Sequence, residues 1–391
     1  MMVDWQNITR FIRCLSRTSL EPTDIAAIHR RLMHDVAWDH VATLAEMEGV
    51  TGLLYYHLNK LNVSNHIPED VFQLLQSRYS RIKQHTLDIL KETETLSLVL
   101  EKNGIQVAAL QGLSLINTIY NDPGWRPLGD VDLMVKQEHK QPLKKCLYKS
   151  GYMPAHPAYP DLLLKNDIWI DIHTHLLNVE RIHARRYLFP QDLSAMWERA
   201  IPFFRQSNGL LRLDPYDNII ALAAHALKHN YSRLIWLVDL HESILKWTNN
   251  RLGWENITEK TKFWQQKKIV LYALLVLEAF FDLNIPVWIK QELGIDRLAA
   301  IEKYLIRLRI KGFSSTLLCH LLLLMNIQSL AAKLAFVKET IFPKNAIMVQ
   351  LFDGKSPTGR RSIYTKRLAQ AVGIMSDDLI RALSFFSKEK G

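Results

Sequence analysis

Cysteine is scarce: the 391 residues include only Cys14, Cys146 and Cys319. Odd in number and far apart, they supply neither a disulfide framework nor a zinc knuckle, and they fit a reducing cytosol. Long apolar runs are also missing. The most apolar stretches are 269–281 and 317–336. The first is short and holds Glu278; the second is broken by His320, Asn326, Gln328 and Lys333. A spanning helix needs about 20 nearly unbroken apolar residues, so both stretches read as buried or amphipathic helices. The N-terminal MMVDWQNITRFIR carries an early acid and no long apolar run, and is not expected to act as a secretory signal. No fixed-period repeat or low-complexity tract is visible, which argues against a solenoid.

What is present suits a cytoplasmic globular protein. Hydrophobic residues make up 48% and charged residues 23%, so disorder is not expected as the main state. The length allows two or three domains. A formal charge of +10 favours anionic partners such as nucleotides, nucleic acid or a membrane surface, without selecting among them.

The pattern along the chain divides it into 1–102, 103–190 and 191–391. The first part is helical, with apolar residues three and four apart in Ile8-Phe11-Ile12-Leu15 and Val41-Leu44-Ala45. A long helix runs from Glu69 towards Glu101 and stops at Asn103-Gly104. The second part alternates. Strands are expected at 105–110, 131–135, 162–165 and 168–173, the last two forming a hairpin about Asn166-Asp167. Helices are expected at 112–120 and 138–150, and Pro154, Pro157 and Pro160 mark a loop. From about Pro190 the chain reads as helical again, most clearly at 215–229 and 234–247. Residues 352–364 read as an exposed basic loop before a last helix.

The chemistry concentrates in Gly129-Asp130-Val131-Asp132-Leu133. Residues two apart on a strand share a face, so Asp130 and Asp132 project together while Val131 and Leu133 face the core. Two ionised carboxylates that close repel each other, and a hard divalent cation such as Mg²⁺ relieves the repulsion. A solvated pair of acids at a strand edge is the plainer alternative. Upstream, Gly112 lies between a strand and a helix, where a backbone N–H can approach a phosphate, and Ser114 offers a hydroxyl. Downstream, Asp171, His173 and His175 alternate on a strand, with His175 expected to be exposed.

This order of strand, glycine, helix, Asp-x-Asp strand and later acidic strand resembles the minimal fold shared by DNA polymerase β and the aminoglycoside nucleotidyltransferases. More closely, residues of about 90–250 are similar to a family of uncharacterised bacterial nucleotidyltransferases. The matching positions are Gly112, Leu115, Tyr120, Arg126, Asp130 through Val135, Asp171-Ile172-His173, His225, His229 and the stretch from Arg233 to Asp239. The resemblance implies an α+β protein: a small mixed-sheet nucleotidyltransferase core flanked by N-terminal and C-terminal helical regions. It implies transfer of a nucleoside monophosphate from a nucleoside triphosphate to an acceptor, a small molecule or a protein, with Mg²⁺ or Mn²⁺. Nucleic acid is a weaker candidate partner. Asp130 and Asp132 become metal ligands, and Asp171 a shared ligand or the general base. Gly112 and Ser114 contact the β- and γ-phosphates, and Arg126 neutralises phosphate charge. Gln111 stands where the family has lysine, which supports a second reading as a catalytically degenerate nucleotide- or partner-binding protein.

His173 either contacts nucleotide or metal, or orients Asp171. His225, His229, Arg233 and Trp236 recur three or four apart. They read as a polar wall holding acceptor or nucleotide, or as a buried polar stripe with Asp239 pairing Arg233 or a histidine. A third reading, a metal-dependent hydrolase, uses His225, His229 and Asp239. His34-Asp35 lacks the surrounding His and Asp residues of a metal-binding dipeptide. Gly354-Lys355-Ser356 lacks the upstream glycine of a phosphate loop, since that position is Val349.

Overall fold

A computed structural model describes residues 5–343 apart from 158, 180, 181, 191 and 314, with the backbone alone at 5–8. It also describes residues 347, 365–374, 376–378 and 380. The basic loop expected at 352–364 lies outside the described residues. Five helices lead: α1 (Trp5–Leu15), α2 (Pro22–Leu32), α3 (Trp38–Met47), α4 (Thr51–Lys60) and α5 (Glu69–Lys102). The last has acids in its first turn, which complement the helix dipole, and stops where Gly104 takes a φ of +65°.

The α/β part follows: β1 (Val107–Ala109), α6 (Gln111–Leu115), β2 (Val131–Val135), α7 (Lys140–Lys149), β3 (Met153–His156), β4 (Tyr159–Lys165) and β5 (Ile168–His173). Next come α8 (Ser194–Arg199), β6 (Ile201–Phe204) and β7 (Ser207–Arg212). The chain continues with α9 (Pro215–Lys228), α10 (Leu234–Trp247), α11 (Arg251–Phe263), α12 (Lys267–Phe281), α13 (Val287–Leu293), α14 (Ala300–Ile310), α15 (Thr316–Asn326) and α16 (Leu330–Ile341). Residues 365–374 are helical. Among the described residues no helix is long and apolar enough to cross a membrane.

The seven strands form one mixed sheet in the order β3-β4-β5-β2-β1-β7-β6. The protein is therefore α+β, with helical regions on both sides of the sheet in sequence. β1 runs antiparallel to β2 and parallel to β7, and β2 runs parallel to β5. The turn joining β4 to β5 has Asn166 and Asp167 at φ +47° and +63°, the two left-handed residues that a tight hairpin needs.

Three expectations are corrected. The helix expected across 112–120 ends at Leu115, and Asn117 turns the chain at φ +61°. The proline-marked loop is largely strand: Pro154 and Pro160 sit in β3 and β4. β3 is the sheet edge, where a missing N–H costs no ladder bond. The helical reading from Pro190 overlooks the β6–β7 hairpin, which joins the same sheet beyond β1. There Gly209 lets α5 lie directly on β7, because a Cβ would meet the Ser97 carbonyl oxygen at 2.0 Å. Ser97 Oγ ties the contact by donating to Ser207 Oγ at 2.8 Å and accepting from Leu210 N–H at 2.9 Å.

Candidate active site

Register in the sheet places the first acids. β2 and β5 are parallel neighbours, and Asp132 stands directly opposite Asp171. Their flanking residues Val131, Leu133 and Ile170 are completely buried, which fixes the strands and turns the acids towards the other face. His173, two residues on, reaches back between them. Its Nε2 is 2.8 Å from Asp132 Oδ1 and 3.3 Å from Asp171 Oδ2. Asp132, Asp171 and His173 each bring one ligand atom within 4.8 Å of the others, the one such group of three among the described residues. Asp130 precedes β2 and lies exposed at the same cavity.

The electrostatics follow from crowding. The cavity wall desolvates Asp130, and the charges of Asp132 and Asp171 add to the effect, raising its pKa to about 6. Burial likewise raises Asp171, although His173 draws it down. Burial of His173 opposes its charge, but the hydrogen bond to Asp132 and the two carboxylate charges prevail and raise its pKa. Carboxylates that hold one another's protons in this way suit a divalent cation, whose charge removes the conflict. Two carboxylates and an imidazole would accept Mn²⁺ as readily as Mg²⁺. The donor set therefore fits the metal that the sequence implies, with His173 inside the group and Asp130 at its rim.

The acids open onto a cavity of about 620 Å³, a size ordinary for small-molecule sites. Gln111 and Gly112 line it at the turn between β1 and α6, and Gln111 holds a φ of +49°. With only five residues, α6 adds little dipole at this turn. Ser114 does not line the cavity. It is buried, and its hydroxyl donates to Gln111 O at 2.6 Å.

Arg126 reaches the cavity wall with its guanidinium already committed. Nε and Nη2 donate to the two oxygens of Asp239 at 3.2 and 2.8 Å, and Tyr120 donates to Asp239 Oδ1 at 2.6 Å. Asp239 thus pairs with Arg126 instead of Arg233 or a histidine. Gly112 makes room for this pair: a Cβ there would fall 2.0 Å from Arg126 Nη1.

His225 and His229 come from the end of α9, Arg233 and Trp236 from the start of α10. Between them Asn230 and Tyr231 both adopt left-handed conformations, so the four residues form a corner and not one helical stripe. The rings still gather: His225–His229 centroids are 4.7 Å apart, His229–Trp236 4.9 Å, and Arg233 lies 5.7 Å over Trp236. All four line the cavity. His225 is buried, neither ring nitrogen has a hydrogen-bond partner, and desolvation holds its pKa well below the usual histidine range. Asp239 joins no ligand group with these histidines among the described residues. His175, expected to be exposed, is buried beyond the end of β5 against Phe189, because the strand stops at His173.

Other wall residues escape sequence reasoning. Lys228, whose charge acts on both Asp171 and His173, stands beside the acids. Arg185, His320 and Arg367 arrive from distant segments that carry no local motif.

No curated protein and no solved structure matches the chain. A family model described as uncharacterised nucleotidyltransferase matches residues 34–282, a span that holds the whole sheet, the acid cluster and the corner between α9 and α10. With well over half its length matched, this chain belongs to that nucleotidyltransferase family.

Proposed function

We propose that the protein moves a nucleoside monophosphate from a nucleoside triphosphate to a hydroxyl group of an acceptor. The observation that carries this reading is the convergence of Asp130, Asp132, Asp171 and His173 on one cavity. Asp132 and Asp171 would hold Mg²⁺ or Mn²⁺, with His173 within ligand distance and Asp130 adding charge at the rim. Such an ion, when bound, supplies positive charge to the phosphate oxygens of an in-line displacement.

The chain's own residues have distinct parts. Asp171 accepts the proton of the attacking hydroxyl; its raised pKa brings it closer to the value a base at neutral pH requires. The hydroxyl oxygen bonds to the α-phosphorus while the bond to the pyrophosphate oxygen breaks, and pyrophosphate leaves. His173 fixes the Asp132 and Asp171 carboxylates through Nε2. Lys228 offers a cation beside the acids, and the turn at Gln111-Gly112 offers backbone N–H groups.

A second reading has its own support. Gln111 replaces a lysine, Arg126 is tied to Asp239, and Ser114 is buried, so three groups expected on the phosphates are neutral or engaged elsewhere. That arrangement suits a protein that binds nucleotide without turning it over. Calorimetric titration with Mg²⁺ and ATP, followed by pyrophosphate release over a set of acceptors, separates the two. Binding without release favours the degenerate binder. No binding, with no difference between wild type and Asp132→Asn, removes both.

A further inference from the structure

The charged cavity has an apolar annex. Thr316, His320, Thr340 and Arg367 line both it and an adjoining pocket of about 290 Å³. Beyond that neck the lining is hydrocarbon: Leu317, Leu321 and Leu324 from α15, and Phe336, Val337 and Ile341 from α16. Ala371 and Ile374 of the 365–374 helical segment close the far side.

The polar groups at the neck are occupied with holding the walls together. Arg367 donates from Nε to Ile341 O at 3.0 Å and from Nη2 to Thr340 O at 3.3 Å, which satisfies the last carbonyls of α16. His320 Nδ1 lies 2.7 Å from Thr316 O, and burial lowers the pKa of the ring, favouring its neutral form. Farther along the chain, Asp378 accepts from Ser315 Oγ at 2.6 Å and Leu317 N–H at 3.2 Å at the start of α15. The annex is thus a groove, open to solvent at Val337 and Ile374, that shares its polar neck with the cavity of the acids and is apolar beyond it.

A ligand that fills both compartments must be polar at one end and apolar at the other. A nucleobase has an apolar face, but its ring nitrogens and exocyclic groups need polar partners, and beyond the neck the annex is lined by no polar side chain among the described residues, which suits an aliphatic chain better. We propose that the acceptor is amphipathic: a hydroxyl-bearing head reacts beside Asp171, and an aliphatic chain passes the Thr316–Thr340 neck and lies between α15, α16 and residues 365–374. The inference rests on the transferase reading and adds the class of acceptor to it.

The test uses the full-length protein and alkyl glucosides with chains of two to ten carbons, below their micelle concentrations, titrated calorimetrically. Each added methylene buried in the annex improves affinity about three- to fourfold until the chain fills it. Val337→Trp, at a position 39% exposed and so compatible with folding, fills the pocket and brings long-chain affinity down to the short-chain value. A wild type indifferent to chain length overturns the proposal. So does a chain-length dependence that Val337→Trp and Leu321→Glu both leave intact, which places the alkyl group elsewhere. Titration with Mg²⁺ and ATP in parallel keeps the two failures apart: chain-length dependence without nucleotide binding sinks the transferase reading, whereas nucleotide binding without chain-length dependence sinks only the amphipathic acceptor.

Discussion

Replacing Gly112 by alanine tests whether the glycine serves the Arg126–Asp239 pair. The added Cβ falls 2.0 Å from Arg126 Nη1, 2.4 Å from Cζ and 2.8 Å from Leu128 Cδ2. Ordinary contact needs more than 3.4 Å, so the guanidinium must retreat by over an ångström. It cannot do so cheaply, because Arg126 is buried and holds Asp239 through two bonds of 3.2 and 2.8 Å. Breaking a buried pair by displacing one partner costs about 3–5 kcal/mol. Alanine returns about 1 kcal/mol through its better helix propensity in α6. The net expectation is a loss of about 2–4 kcal/mol, read from urea unfolding followed by circular dichroism. Gly129→Ala is the control: nothing lies within 4 Å of its added Cβ, so its stability should change by no more than about 0.5 kcal/mol. In an Arg126→Ala background only the approach to the end of the Leu128 side chain remains, and Gly112→Ala should cost no more than about 1 kcal/mol further. A Gly112→Ala protein as stable as wild type, or the same loss in the Arg126→Ala background, refutes the reasoning.

Asp132→Asn should weaken Mn²⁺ binding by at least the 10–100-fold that loss of a supporting residue costs, measured by calorimetry; an unchanged affinity removes Asp132 from the ligand set. Because Asp130 has a pKa raised to about 6, the protonated form dominates below that pH and holds no cation. Mn²⁺ affinity should rise as pH increases through about 6, and Asp130→Asn should remove that part of the rise while leaving the part that comes from deprotonation of Asp171 and His173, whose pKa values are also raised. His225→Leu should stabilise the ligand-free protein by about 1 kcal/mol in urea unfolding, since it deletes two buried nitrogens that lack partners. The folded-state pKa of His225 lies below its unfolded value, so wild type loses stability as pH falls below about 6.5 while the leucine variant is spared that loss. A destabilised His225→Leu at neutral pH contradicts the unpartnered ring.

Local chemistry was legible wherever the pattern that stabilises an element lies inside it. The β2 strand, the Asn166-Asp167 turn and the stop at Asn103-Gly104 all follow from residues within a few positions. The approach of Asp171 to Asp132 was expected from the family resemblance; periodicity assigns a face only within each strand, and the parallel pairing of β2 with β5 is what brings the two acids opposite each other. Features decided by distant partners were not. Pro202 and the Asn208-Gly209 pair look like breakers until β7 is laid beside β1 and under α5, where the glycine is needed and the proline sits on the outer strand. Helical spacing from His225 to Trp236 suggested one stripe, but two left-handed residues bend it into a corner. Arg126 carried a family motif, yet its partner Asp239 lies 113 residues away, and no spacing rule reports that commitment.

The placement of Asp130 explains why so much helix surrounds so small a sheet. Asp132 and Asp171 are held by ladder hydrogen bonds, but Asp130 precedes β2 and lies outside the ladder. Its position is set by the irregular segment from Ile116 to Gly129, and that segment is anchored at two points by helices. Asp122 accepts from Tyr79 of α5 at 2.7 Å, and the packing is close enough that a Cβ on Gly124 would strike the Tyr79 ring at 2.5 Å. Four residues before Asp130, Arg126 is fixed to Asp239 of α10, with Tyr120 on the same carboxylate. The helices on either side of the sheet in sequence therefore govern where the third carboxylate stands relative to the other two. Cutting either anchor should leave the Asp132–His173–Asp171 arrangement in place and shift Asp130 alone. Tyr79→Phe, which deletes only the hydroxyl, should consequently lower Mn²⁺ affinity without disturbing the His173 proton resonance that reports the bond to Asp132. A change in that resonance equal to the one produced by Asp171→Asn shows that the anchors act on the whole cluster.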